Sequence, residues 1–281
     1  MDLNTITEVV RPRGRDALPL WRDGDAWLAG GTWLFSEPQS HLNRLIDLAA
    51  LRWPAIEVGE RGLRIAATCT IATLDTISLP VEWIASPLIG QCCRAFVASF
   101  KIWNTATVGG NICMALPAGP MISLTSALDG VGTIWSCDGG ERRVPIADFI
   151  LGAKKNALGS GEILRAIDLP AQALMRRTAF RQLSLTPLGR SGALAIGTLS
   201  PRDGAFALTI TAATSRPVRL SFAGLPDRKT LRERIADEIP NALYYDDVHG
   251  APLWRKHVTP VLAEEVRQEL SQDKLSGDAA S

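Results

Sequence analysis

Apolar positions along this chain fall in short runs that glycine and proline interrupt, and the spacing within each run sets the element it predicts. Residues 25–31, Asp-Ala-Trp-Leu-Ala-Gly-Gly, read as a short strand running into a double-glycine turn, and 45–48 as the next strand. Segments 55–58 and 63–67 flank Gly59-Glu60-Arg61-Gly62 and predict a hairpin. Thr70 is placed to cap a helix that begins at Ile71, its hydroxyl accepting an orphan amide of the first turn. From Pro87 the period changes: Leu88, Ile89, Cys92, Ala95 and Phe96 share one face, and this helix is expected to stop before Asn104. A second double-glycine loop, 107–111, precedes a short helix at 121–128. Segments 134–136 and 143–146 around Asp138-Gly139-Gly140 predict a second hairpin, and 162–169 a strand closed by Pro170.

Beyond residue 170 the pattern changes to strands at 180–185, 205–213 and 218–223, followed by helices at 228–239 and 252–270. Strands first and helices afterwards suggest an α+β unit separate from the one before it. The expected division is 1–172, 173–272 and a frayed tail at 273–281. Leu253, Trp254, His257, Val258, Val261 and Leu262 lie at amphipathic spacing, which predicts that the last helix docks on its own sheet.

Composition narrows the classes of function. The 281 residues are 46% hydrophobic and 21% charged with a net charge of +1, an ordinary globular balance without the basic excess of a nucleic-acid-binding domain. A chain of this length buries a core without disulfide staples. Its five cysteines, Cys69, Cys92, Cys93, Cys113 and Cys137, include no CxxC, and its three histidines no HExxH, so metal ligation by this chain has no support. The expected state is free thiols in a reducing cytoplasm. Neither a signal segment nor a run of 18 apolar residues is present, so neither secretion nor membrane spanning is expected.

The chemistry sits in the double-glycine loops Gly30-Gly31 and Gly109-Gly110. Paired glycines let the backbone approach a bulky anion, and successive amides form a nest for phosphate oxygens. Thr32 and Thr107 stand beside the pairs, and Asn111 can add a side-chain amide. Two such loops converging on one pyrophosphate would suit a dinucleotide. A double glycine is more often a plain turn, and Gly139-Gly140 reads as one. There is no GxGxxG after a strand and no GxxxxGK[ST], so neither a Rossmann nor a P-loop site is indicated.

Leu28-Ala29-Gly30-Gly31-Thr32 and the stretch from Lys101 through Thr107-Val108-Gly109-Gly110-Asn111-Ile112 together resemble the FAD-binding subunits of the molybdenum hydroxylase family, that of xanthine and carbon monoxide dehydrogenases. Later segments extend the resemblance in the family's order over nearly the whole chain: Val144 to Phe149, Gly161 to Leu164 with Leu169-Pro170, Ala179 to Gln182, and Asp246 to Gly250 with Trp254 to His257.

The resemblance implies an α+β fold: a two-subdomain FAD-binding unit of the PCMH or vanillyl-alcohol-oxidase-like type, then a small C-terminal domain with helices on one face of its sheet. It implies FAD held by Trp27, Leu28, Ala29, Gly30, Gly31, Thr32, Trp33 and Leu34 in the first loop and by Thr107, Val108, Gly109, Gly110 and Asn111 in the second. Val97 would pack nearby, with Leu164 and Arg181 at the flavin end. On the residues alone, Leu164 reads as core filling and Arg181 as a solvated strand residue. No catalytic side chain and no metal ligand is implied. The implied role is a cytoplasmic electron-transfer subunit. Its partners would be a large subunit with a molybdenum-pterin cofactor and a small subunit with 2Fe-2S clusters, in heterotrimers or dimers of them, and the acceptor NAD or oxygen. The alternatives are a stand-alone flavin oxidase of the related fold and an assembly subunit without FAD.

Two departures from the family stand out. Trp33 and Pro120 occupy positions where members commonly carry acidic residues, the second of them a ribose-binding Asp. Loss of a carboxylate acceptor removes a charge-assisted hydrogen bond worth about 1.5–3 kcal/mol. Lys101 and Trp103 also replace the usual Gln and Arg, and core filling is the preferred reading of Trp103.

Overall fold

The computed structural model describes residues 3–277, the last five as helix backbone only, so residues 278–281 of the expected tail lie outside the described residues. The chain opens with a small parallel sheet of β1 (Glu8–Val10), β2 (Asp25–Leu28) and β3 (Arg44–Asp47), with β3 in the middle. A buried ion pair ties two of these strands: Arg44 donates from Nε to Asp25 at 2.7 Å, and the Asp25 side chain is fully out of solvent.

The hairpin of β4 (Ile56–Gly59) and β5 (Gly62–Ala66) forms as expected. Gly62 is required at its turn, because at φ +132° an added Cβ would lie 2.0 Å from the Leu169 carbonyl oxygen. Thr70 caps α1 (Ile71–Asp75), accepting from the Thr73 amide at 3.1 Å. After α2 (Ser86–Ala95) the expected single helix breaks, and a short α3 (Phe100–Trp103) follows. The break is fixed by Trp103, whose indole folds back and donates to the Phe96 carbonyl at 2.9 Å, so its ring fills core as the sequence suggests.

Next come α4 (Val108–Cys113), α5 (Pro120–Ala127), the hairpin of β6 (Val131–Trp135) and β7 (Glu141–Pro145), α6 (Ile146–Phe149), the small hairpin of β8 (Ile150–Gly152) and β9 (Lys155–Asn156), β10 (Ile163–Pro170) and α7 (Ala171–Leu174). The larger strands form one antiparallel sheet, ordered β4-β5-β10-β6-β7. Its buried face, with Ile65, Ile134 and Ile167, packs with Leu74, Leu88, Ile112 and Met121 from the helices in one core.

A four-stranded antiparallel meander follows: β11 (Arg177–Leu183), β12 (Ala193–Leu199), β13 (Phe206–Thr211) and β14 (Val218–Phe222). It is completed by α8 (Arg228–Glu238) and the long α9 (Pro252–Gly277). The last helix docks on its own sheet as expected, through Trp254, Val258, Leu262, Val266 and Leu270, whereas Leu253, His257 and Val261 of the expected face are exposed, because the contact stripe continues along the helix at 262, 266 and 270 rather than widening at its start. The opposite face joins the first core through Leu194 and Ile196. Every residue of β12 is consequently buried, which removes the alternation that marks a half-exposed strand and makes this strand invisible in the hydrophobic pattern. Gly197 serves closeness here: an added Cβ would lie 2.4 Å from Val266.

Polar contacts seal the junction between meander and first core. Ser123 and Thr211 share a hydrogen bond of 2.7 Å, the Ala212 amide donates to Pro117 at 2.8 Å, and Asp129 forms ion pairs with both Arg176 and Arg219.

Candidate functional site

The structure brings the two double-glycine loops together. The first leaves the end of β2 and presses on the residues that lead into the second: a Cβ added at Gly30 would lie 2.0 Å from the Thr105 carbonyl oxygen and 3.2 Å from Ala106 Cα. Only glycine permits that approach. Gly31 adopts φ +68°, a left-handed conformation natural to glycine, and its carbonyl accepts from Phe35 at 2.9 Å to close a single turn. The amides of Gly30, Gly31, Thr32 and Trp33 have no acceptor among the described residues. Four successive donors in a partly buried loop form a concentration of positive partial charge that suits an anion.

The second loop differs from expectation. Residues 108–111 are the first turn of α4, capped by Thr107, whose Oγ1 accepts from the Gly110 amide at 3.0 Å. The Val108 amide donates to Cys69 at 2.8 Å, the Gly109 amide to Ala67 at 2.9 Å and the Asn111 amide to Thr107 at 3.0 Å. All four amides are thus used within the protein, and the nest expected at the second loop is not built. Gly109 is there for packing, since a Cβ would sit 2.4 Å from that of Ala67. Asn111 accepts from the Met121 amide through Oδ1 at 3.1 Å, which orients the side chain and leaves its NH2 group as the polar donor of this loop.

The other expected residues scatter. Trp27 stacks on Trp21 with ring centroids 5.0 Å apart, and its Nε1 is buried without a partner among the described residues. Leu28 lies against the place a Cβ on Gly31 would take, at 3.0 Å. Val97 is 43% exposed in the link between α2 and α3, with Phe100 beside it at 73%, an open apolar edge on the segment leading to Thr105. Leu164 is fully buried on β10 against Gly132, the core-filling place its residue type suggests. The Arg181 guanidinium pairs with Glu265 at 3.1 Å and Glu269 at 2.6 Å on α9. Pro120 is buried at the first position of α5, where proline's missing amide costs nothing.

Sequence reasoning missed Lys154, whose ammonium lies 5.4 Å from the centre of the Trp33 ring. No motif marks it, because it comes from the β8–β9 turn, far along the chain from Trp33. Burial pushes the Cys69, Cys93 and Cys113 thiols up to about 12, so none of them offers a ready thiolate for covalent flavin attachment.

The loops as built fit one end of FAD. The first loop has amides without acceptors among the described residues in a glycine cradle that any Cβ would fill, Asn111 keeps a side-chain NH2 group, and Val97 and Phe100 are exposed apolar residues on the segment leading to Thr105, a set of features that suits a dinucleotide. The concavities of about 620 Å³ beside the β4–β5 turn and about 720 Å³ between α8 and α9 lie away from this group of residues.

Comparison with known proteins agrees with this geometry. Two curated relatives match part of the chain. Xanthine dehydrogenase 2 of Arabidopsis thaliana is 31% identical over 122 residues, 41% of this chain and 9% of that protein. Caffeine dehydrogenase subunit beta of Pseudomonas sp. (strain CBB1) is 33% identical over 98 residues, 35% of this chain and 33% of the subunit. The chain therefore aligns with only a small part of those relatives' length. Solved structures share the fold over nearly the whole chain. CO dehydrogenase from Oligotropha carboxidovorans superposes with a TM-score of 0.80 at 21% identity, covering 95% of this chain and 98% of the other. Quinoline 2-oxidoreductase from Pseudomonas putida 86 gives 0.77 at 20% identity, covering 97% and 99%. The family model described as the FAD binding domain in molybdopterin dehydrogenase matches residues 15–172, more than half of the sequence and all of both glycine loops, and the chain belongs to that family.

Proposed function

We propose that this chain is the FAD-carrying electron-transfer subunit of a cytoplasmic, heteromeric molybdenum hydroxylase. A large subunit with a molybdenum-pterin cofactor and a small subunit with 2Fe-2S clusters would complete the enzyme, and an external acceptor such as NAD or oxygen would take the electrons. The observation that carries the reading is the pairing of the loops: four amides at Gly30 to Trp33 without acceptors among the described residues, packed through Gly30 onto the backbone that enters the second loop. Membership of an FAD-binding family supports the FAD pyrophosphate as the anion for this cradle.

When bound, FAD supplies the redox chemistry, which the protein tunes by binding, orientation and electrostatics. The chain's own residues have narrower tasks. The first-loop amides would hold phosphate oxygens; Gly31 permits the left-handed turn that presents them, and the Phe35 amide closes that turn on the Gly31 carbonyl. Thr107 and the amides of α4 lock the second loop onto Ala67 and Cys69, so Asn111 is presented from a rigid turn. Val97 and Phe100 offer exposed apolar surface on which a flat ring could pack. No proton transfer by a side chain is needed. Among the described residues no helix is long and apolar enough to cross a membrane, and no group of three metal-ligating side chains is clustered.

The test is isolation of the complex formed around this chain, with mass spectrometry of its subunits, flavin absorbance and metal analysis. Flavin in this chain with molybdenum and iron in co-purifying subunits supports the reading. A purified chain that takes up no FAD, even when it is added, overturns it in favour of an assembly subunit. Flavin that stays with acid-precipitated protein would instead indicate a covalent flavin oxidase.

A further inference from the structure

Lys154 stands in a conformation that non-glycine residues seldom adopt, at φ +59° in the turn between β8 and β9. The turn is pinned to the end of α4 by two bonds: the Lys154 amide donates to Ala115 at 2.9 Å, and Asn156 Nδ2 donates to Cys113 at 2.7 Å. From there the side chain reaches the first loop, its ammonium 5.4 Å over the ring of Trp33. It has no carboxylate partner among the described residues. One side chain, from a turn bonded to the far end of the helix that the second glycine loop begins, thus reaches a residue of the first loop whose own amide has no acceptor among the described residues.

Backbone amides carry only partial charge, whereas a pyrophosphate brings two full negative charges. A lysine ammonium is a compact point charge suited to a phosphate group. An ammonium over the ring of Trp33, with no carboxylate partner among the described residues, is a full charge close to the loop that carries those amides and can complete the balance they leave open. We propose that Lys154 is the cation that contacts the FAD pyrophosphate, with the Trp33 ring as the platform that holds the ammonium in place. The inference rests on the FAD reading above and assigns to that site a residue outside both glycine loops.

The experiment uses the full chain, stripped of flavin, titrated with FAD and with riboflavin at several salt concentrations. Flavin fluorescence reports binding and a melting curve reports folding. Lys154→Met is expected to raise the Kd for FAD at least tenfold and to flatten its salt dependence, because one screened charge contact is gone. Riboflavin, which lacks phosphate, should bind the variant as it binds the parent. Lys154→Arg should recover most of the FAD affinity, and Lys155→Met, next along the same hairpin, should behave as the parent. An unchanged Kd and salt slope in Lys154→Met overturn the proposal, as does an equal loss for FAD and riboflavin. A parent chain that binds no FAD defeats the functional reading itself, a result distinct from a parent that binds and a variant that binds equally well.

Discussion

The chain carries Gly-Gly beside a threonine at both 30–31 and 109–110, and the two loops use it oppositely. In the first, Gly30 and Gly31 free the backbone: one permits contact with the Thr105 carbonyl, the other takes a left-handed φ, and four amides are left without acceptors among the described residues. In the second, Gly109 and Gly110 commit the backbone: the amides of α4's first turn are all bound, and Gly109 packs on Ala67. A binding loop and a bracing helix start can thus share a sequence signature. What separates them is the neighbouring element. The first loop hangs from a three-stranded sheet outside the main core, while the second is bonded to the chain just beyond β5 in the central sheet.

Each anchor can be broken separately. The largest effect is expected at Asp25, which holds the strand leading into the first loop. Asp25→Ala leaves the Arg44 guanidinium buried and largely uncompensated, at a cost of about 3–5 kcal/mol. Chemical denaturation should show a lower midpoint. Acid adds a second signature. Arg44 holds the Asp25 carboxyl below its ordinary value of 3.8, so the stabilisation is complete above that value and disappears as pH falls through the lower folded-state value. The variant should lack that component of acid sensitivity. If its stability and acid profile match the parent, the ion pair does not anchor the first loop.

Gly109→Ala is next, because its Cβ would meet Ala67 in a fully packed place with no flexible side chain to yield. Overpacking of this kind costs about 1–3 kcal/mol, and the loss should appear in thermal melting. Gly30→Ala reverses the emphasis. Its Cβ meets the Thr105 carbonyl on the surface side of the core, so the first loop must lift away and its amides lose their aim. FAD affinity should fall about tenfold or more, near 1.4 kcal/mol, with a smaller loss of stability than Gly109→Ala shows. Equal losses of stability and affinity in both variants would erase the distinction between the two loops.

Much of the frame was legible because it obeys local rules. Glycines at 59 and 62 mark the β4–β5 turn, Asp138-Gly139-Gly140 the next hairpin, and Thr70 caps a helix as its type predicts. The site was legible as a pair of loops but not in its division of labour, since an amide's freedom depends on whether carbonyls such as those of Ala67 and Cys69 lie opposite. Three further features were hidden for the same reason, that their cause is distant in sequence. The strand β12 is buried on both faces and loses its alternation, Lys154 reaches Trp33 from another hairpin, and Arg181 finds its carboxylates on α9.

The third double glycine supplies the weakest and most discriminating comparison. At Gly140 an added Cβ would lie 3.0 Å from Asp138 Oδ1, which accepts from the Gly140 amide at 2.9 Å, and 3.7 Å from Ser136 Oγ; only side-chain atoms are met, and the exposed Asp138 can yield by a few tenths of an ångström. Gly140→Ala is therefore expected to change stability by no more than about 0.5 kcal/mol, the usual range for surface sites, and to leave FAD binding untouched. Its value lies in the contrast with the other two pairs. Because Gly140 also sits in a Gly-Gly pair, a neutral result shows that the pattern itself carries no function, and that Gly30 and Gly109 act through what they face. A measurable loss of FAD affinity from Gly140→Ala would mean that the cofactor site extends to the β6–β7 turn, and the separation drawn between binding loop, bracing loop and plain turn would fail.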